Sequence, residues 1–226
     1  MKRTKLRNRD LPDYTRGEEI FNMVSHIVGA AFGVAACALC VVKAFLYSDA
    51  YGVVAAFLYG FSMIVLYTMS SLYHGLREGT AKRVFQILDH CTIFVLIAGT
   101  YTPVALCALR QQLPALGWTV FGIVWGLSIL GIVLNAIDLK RYSKLSMTLY
   151  LLLGWCIILT GKQAVAAMGI PCLIFMLLGG IAYSVGAIFY AVGGKKGGLR
   201  YMHSVFHLFV VLGSLLQFFG VFFYII

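Results

Sequence analysis

GVVAAFLYGFSMIVLYTMSSLYH, residues 52–74, contains no Asp, Glu, Lys or Arg and ends on a histidine. A helix rises 1.5 Å per residue, and the hydrocarbon core of a bilayer is about 30 Å thick, so about 20 apolar residues cross it. This run is long enough. Working outward from it, six more runs qualify, at 21–46, 84–109, 114–137, 145–161, 170–192 and 202–225. Backbone polar groups cannot be left unpaired in lipid, so these runs are expected to be helices rather than open strands. The expected fold is an all-α membrane protein: a seven transmembrane helix bundle over 21–226, preceded by a basic cytoplasmic tail, residues 1–20.

Composition agrees. The chain is 61% hydrophobic and only 12% charged, with a mean hydropathy of +0.91. Soluble domains carry about 25% charged residues. A net charge of +10 would suggest nucleic acid in a soluble protein. Here the basic residues fall between apolar runs and encode topology instead, so no nucleic-acid partner is expected.

Those residues alternate in number from one connection to the next. Lys2, Arg3, Lys5, Arg7, Arg9 and Arg16 precede the first run. Arg77, Lys82 and Arg83 fill the second connection, Lys140, Arg141 and Lys144 the fourth, and Lys195, Lys196 and Arg200 the sixth. Opposite these fifteen stand only Arg110 and Lys162, with Lys43 near the far end of the first run, where it can snorkel. The positive-inside rule then places the N-terminus in the cytoplasm and the C-terminus outside, in a multi-pass protein of the cell membrane. The six cysteines all lie in apolar stretches. Cys37 and Cys40 form a CxxC with no second pair to complete a zinc ribbon, so the cysteines read as small buried hydrophobes.

Ionisable groups inside a membrane are costly and mark function. His74 ends the second span at its basic end. Asp89 lies six residues past Arg83, roughly 9 Å into the third span. His203 and His207 lie roughly 5 and 10 Å past Arg200. Three spans thus deliver polar groups to one layer just inside the basic face. Residues four apart share a helix face, so His203 and His207 point together, as do Ser70 and His74. Three imidazoles plus an open position is the ligand set of catalytic zinc, although a buried polar network or proton relay is built from the same residue types. Asp89 is placed to hold a water or orient a ligand. His26 reads as structural or as a supporting group. His90 points about 100° away from Asp89 on the helix, which makes Asp89 the better candidate to face the site. Asp138 and Glu78 read as solvated residues of the connections, and glycines such as Gly29, Gly33, Gly99, Gly179 and Gly180 as sites of close helix packing.

Four segments resemble the hemolysin III family, the bacterial relatives of the progestin and adipoQ receptors: EEIFNMVSHIVG, SSLYH, LDHCTIFVLIAGTYTP and HSVFHLFVVLGSLLQF. The resemblance covers the chain from end to end. It implies a zinc site with His74, His203 and His207 as ligands, Ser70 beside them and Asp89 holding the metal's water. The wider superfamily includes alkaline ceramidases, which cleave a lipid amide within the membrane. One departure is Gln217, where many members carry a further histidine; it lies roughly 15 Å beyond His207.

Three functions follow as expectations. A zinc-dependent hydrolase of a membrane lipid amide or ester would use Asp89 as general base and Ser70 to place the water or stabilise the oxyanion. A non-enzymatic sensor or homeostasis protein would use zinc to fasten helices. A cytolytic factor, as the family name suggests, would need a polar stripe along its spans, and these spans are polar at one end only.

Overall fold

The computed structural model describes residues 4–193 and 199–226. Of the basic residues counted in the connections, Lys2, Arg3, Lys195 and Lys196 lie outside the described residues. A 3-10 turn, Leu6–Asn8, precedes α1 (Arg16–Tyr47), α2 (Ala50–Gly75) and α3 (Thr80–Pro103). α3 runs on through a π-helical stretch, Val104–Leu109, into the single turn α4 (Arg110–Gln112). Then come α5 (Pro114–Trp155), a 3-10 segment Cys156–Thr160, α6 (Gly161–Gly193) and α7 (Met202–Tyr224). The described residues are all helix and connection, with no strand. Five continuous helical stretches are long and apolar enough to cross a membrane: Arg16–Tyr47, Ala50–Gly75, Thr80–Gln112, Pro114–Gly193 and Met202–Tyr224.

The fourth of these is not straight. At Asp138 the backbone leaves helical geometry (φ −158°, ψ 95°), and the Asp138 carboxylate accepts the N–H of Arg141 at 3.2 Å. A carboxylate in extended geometry that accepts the N–H three residues on is an N-cap, so a new helix begins here. The other oxygen accepts the Thr4 N–H at 2.9 Å. Asp138 is 3% exposed, which corrects the expectation of a solvated residue: it is buried because it ties the N-terminal segment to this bend. Further breaks fall at Gly161 and Gly169, whose positive φ values of 48° and 74° are unfavourable for any residue with a Cβ.

α1 begins at Arg16, ahead of the expected 21. The cause is a capping box: the Thr15 hydroxyl accepts the Glu18 N–H at 3.2 Å, and the Glu18 carboxylate accepts the Thr15 N–H at 2.8 Å. The residues before it pack across the basic end of the bundle. Arg83 donates to the Arg9 carbonyl at 3.0 Å, and Lys140 pairs with Asp10 at 3.0 Å.

α1 turns its small and polar residues inward. The buried stripe of α1 is Glu18, Asn22, His26, Gly29, Gly33, Ala36, Cys40 and Ala44, spaced three or four apart and small or polar. Large apolar side chains face outward instead, with Phe45 77% and Leu159 88% exposed. Lipid takes the place of a core on that side, and small residues let backbones approach. At Gly29 a Cβ would lie 2.7 Å from the Tyr67 ring, so close packing of α1 on α2 requires glycine there. α1 packs along α2 and α6 along α7, with α3 against α2 and α5, while α5 and α6 barely touch. Lys43 donates to the Phe222 carbonyl, capping α7 rather than reaching out to lipid head groups. All six cysteines are free.

Candidate metal centre

α2 and α7 meet at the basic end of the bundle. The Nε2 atoms of His203 and His74 stand 3.3 Å apart, and those of His207 and His203 3.1 Å apart. His74, His203 and His207 are all buried, and one nitrogen of each falls within 4.8 Å of the others. α7 is aimed at this point by Glu18, which accepts the Tyr201 N–H at 2.8 Å and pairs with Arg200 at 3.4 Å. Tyr201 carries a left-handed φ of 62°, costly for a non-glycine residue, and the Glu18 contact holds it. One side chain thus caps α1 and fixes the first turn of α7.

The far nitrogens of two imidazoles are assigned by their partners. His74 Nδ1 lies 2.6 Å from the Glu19 carboxylate, so that nitrogen carries the proton and Nε2 presents a lone pair. His207 Nδ1 lies 3.2 Å from the Asn22 carbonyl, an acceptor only, which sets the same tautomer. Two lone pairs therefore converge on one buried point, an arrangement that repels itself unless a proton or a cation lies between them. This donor set fits a divalent metal: three imidazole nitrogens, two of them oriented by outer partners. Glu19 is itself held by the Lys82 ammonium at 2.7 Å. Lys82 is 4% exposed and also donates to the Tyr73 and Leu76 carbonyls. Tyr14 covers the centre from the basic side, its ring stacked on His203 at 5.0 Å and 24°. Burial pushes its phenol well above the ordinary range, so it stays protonated.

A cavity of about 560 Å³ reaches two members of the triad, His203 and His207, and is within the size range of small-molecule sites. Its lining includes Arg9 and Lys140 from the basic end of the bundle, Ser70, Asp89, His90, His26, His203 and His207 from the layer of the triad, and Tyr183 and Gln217 from further along the helices. The walls between are apolar, with Leu66, Ile93, Leu96, Ile97 and Val210 among them. Asp89 and His90 both reach this cavity, although only Asp89 was expected to. The Asp89 carboxylate lies 3.9 Å from His90 Nδ1 and is not one of the three donors that converge. His26 stacks face to face on His207, 3.7 Å and 13°. Sequence reasoning missed Glu19, Asn22, Lys82 and Tyr14. Glu19, Asn22 and His26 follow one another at three and four residues, a face visible in the sequence, but nothing there says which helix that face meets.

A helical membrane protein with a buried histidine triad beside an apolar cavity is a multi-pass protein of the cell membrane carrying a candidate intramembrane metal centre. Its relatives narrow the class. The family described as Haemolysin-III related matches residues 14–218. Hemolysin-3 of Bacillus cereus is 40% identical over 209 residues, 92% of each chain. The Hemolysin-3 homolog of Bacillus subtilis (strain 168) is 38% identical over 211 residues, 93% of this chain and 96% of the relative. The chain belongs to the hemolysin III family.

Proposed function

We propose that this is a seven-span membrane protein with a cytoplasmic N-terminus and an external C-terminus, whose triad binds zinc for hydrolysis of a membrane lipid amide or ester. The breaks at Asp138 and between Gly161 and Gly169 support the span count, dividing 114–193 into three. The excess of Lys and Arg at one end supports the orientation. The observation that carries the functional reading is the convergence of three imidazoles, two of which, His203 and His207, stand in the wall of an apolar cavity that also presents a carboxylate and a hydroxyl. A metal that only fastened α2 to α7 would need no such cavity.

A divalent metal in this site supplies a Lewis acid and a water ionised near neutral pH. His74, His203 and His207 would hold it. Asp89, across the cavity on α3, takes the proton from the attacking water and delivers it to the leaving amine or alcohol. Ser70, one turn below His74, donates a hydrogen bond to the carbonyl oxygen as charge develops there. The apolar walls hold the acyl chain and exclude other water.

Metal analysis of purified wild type against His203→Ala, followed by an untargeted lipid-product screen, tests this. The expected result is about one zinc per chain in wild type, loss of it in the variant, and release of a fatty acid by wild type only. A zinc-loaded protein that releases no fatty acid from ceramides, phospholipids or acyl amides refutes the hydrolase reading. A reporter fused to the C-terminus that matures only outside the cytoplasm checks the topology.

A further inference from the structure

On the far side of the triad from the basic end, the cavity wall includes His26 of α1 and Ser70 of α2. Both are buried, at 3% and 1% exposure. Neither ring nitrogen of His26 has a hydrogen-bond partner, and neither does the Ser70 hydroxyl. Neighbouring hydroxyls behave differently. Ser71 donates to the Tyr67 carbonyl of its own helix at 2.7 Å. Ser184, which lines the same cavity, does the same with Gly180 at 2.8 Å. That is the usual refuge of a helix serine in an apolar setting, and Ser70 does not take it. His26 is held between the face of His207 and the ring of Tyr67, 5.0 Å away and edge-on at 74°. Both contacts hold the ring in this orientation. A phenylalanine would stack there equally well without burying two polar atoms, so packing alone does not account for a histidine.

We propose that His26 and Ser70 form a subsite for the uncharged polar group of a long-chain amphiphile, a secondary amide or a hydroxyl, whose chain lies in the apolar part of the cavity. A neutral imidazole offers one N–H and one lone pair, and a serine hydroxyl offers both roles. Their best partner is therefore a group that also donates and accepts. An ester accepts only, and leaves one of these groups unsatisfied. The cavity's Arg9 and Lys140 line its other end, so a carboxylate or phosphate head finds no counter-charge beside His26. This subsite rests on the metal-hydrolase reading in that it sets the ligand's polar group next to the triad, on the side away from Tyr14.

The test uses the full-length protein in lipid nanodiscs and three chain-matched probes: N-methyl octadecanamide, octadecanol and methyl octadecanoate. Binding is read from tryptophan fluorescence, since Trp155 lines the cavity, and metal content and thermal midpoint are measured on the same samples. Wild type is expected to bind the amide and the alcohol about tenfold more tightly than the ester, the worth of one buried hydrogen bond. His26→Phe and Ser70→Ala are expected to lose that preference while keeping metal and an unchanged or raised thermal midpoint. The proposal is overturned if His26→Phe keeps the wild-type preference, if both variants fall in thermal midpoint, or if wild type binds none of the probes. A wild type without metal, whose amide preference still depends on His26, would sink the hydrolase reading and leave the subsite standing.

Discussion

Glu19 offers the sharpest perturbation of the centre, because one carboxylate serves two buried partners. Its oxygens lie 2.6 Å from His74 Nδ1 and 2.7 Å from Lys82 Nζ, with side-chain exposures of 20% for Glu19 and 5% for Lys82. Glu19→Ala acts on two quantities. The first is stability: breaking a buried ion pair by removing one partner costs about 3–5 kcal/mol. The Tyr73 and Leu76 carbonyls still accept from Lys82, which places the loss near the lower end, at about 3 kcal/mol. The second is metal affinity. Without the acceptor on Nδ1, the His74 tautomer is no longer fixed, and losing such a partner costs about 10–100-fold. Adding Lys82→Met separates the two, since it removes the orphaned charge without restoring an acceptor for His74. The double variant is expected to recover most of the thermal midpoint while metal affinity, measured by competition with a chromophoric chelator, stays low. Recovery of affinity along with stability would show that Glu19 serves the fold and not the imidazole.

Two further changes probe the scaffold. Asp138→Ala removes an N-cap and the acceptor of the Thr4 N–H, and is expected to cost about 1–2 kcal/mol and to speed proteolysis of the N-terminal segment; an unchanged thermal midpoint and digestion pattern would contradict the N-cap assignment. Gly29→Val places a methyl-bearing Cβ against the Tyr67 ring, and is expected to destabilise by about 1–3 kcal/mol, seen as a lower thermal midpoint in detergent. It also disturbs the Tyr67 hydroxyl, which donates to Ser214 at 2.6 Å.

That the chain is all-helical and crosses the membrane several times was legible because length and apolarity are local properties of the sequence, whereas 114–193, read as three runs, is one continuous helical stretch with bends. So was the triad, because His203 and His207 share a face at four-residue spacing and His74 sits at matching depth. What escaped was everything decided by which helix faces which. Glu18 and Glu19 read as polar residues ahead of a span, yet one caps α1 and steers α7 while the other orients His74. Lys82 read as one more positive charge in a connection, yet it is buried against Glu19. Asp138 read as solvated because it falls between apolar runs. The connection is in fact a bend covered by the N-terminal segment, and the carboxylate is the capping group that makes the bend. In each case the charge is local information, while the partner that buries it or aims another helix, Tyr201 for Glu18, His74 and Lys82 for Glu19 and Thr4 for Asp138, lies more than fifty residues away.

This division explains why α1 matters more to the centre than its sequence suggests. None of the three converging imidazoles lies on it. Yet α1 supplies the acceptor for His74 through Glu19, the acceptor for His207 through the Asn22 carbonyl, and the ring stacked on His207 through His26. It also supplies Glu18, which fixes the first turn of α7 where His203 stands. The converging imidazoles come from α2 and α7, but the partners that direct them come from α1. Metal affinity should therefore respond to substitution of Glu18, Glu19 or Asn22 on α1, and far less to changes on its lipid-facing side at Val34 or Phe45. A scan in which both faces affected metal content equally would show that α1 acts only as a packing partner.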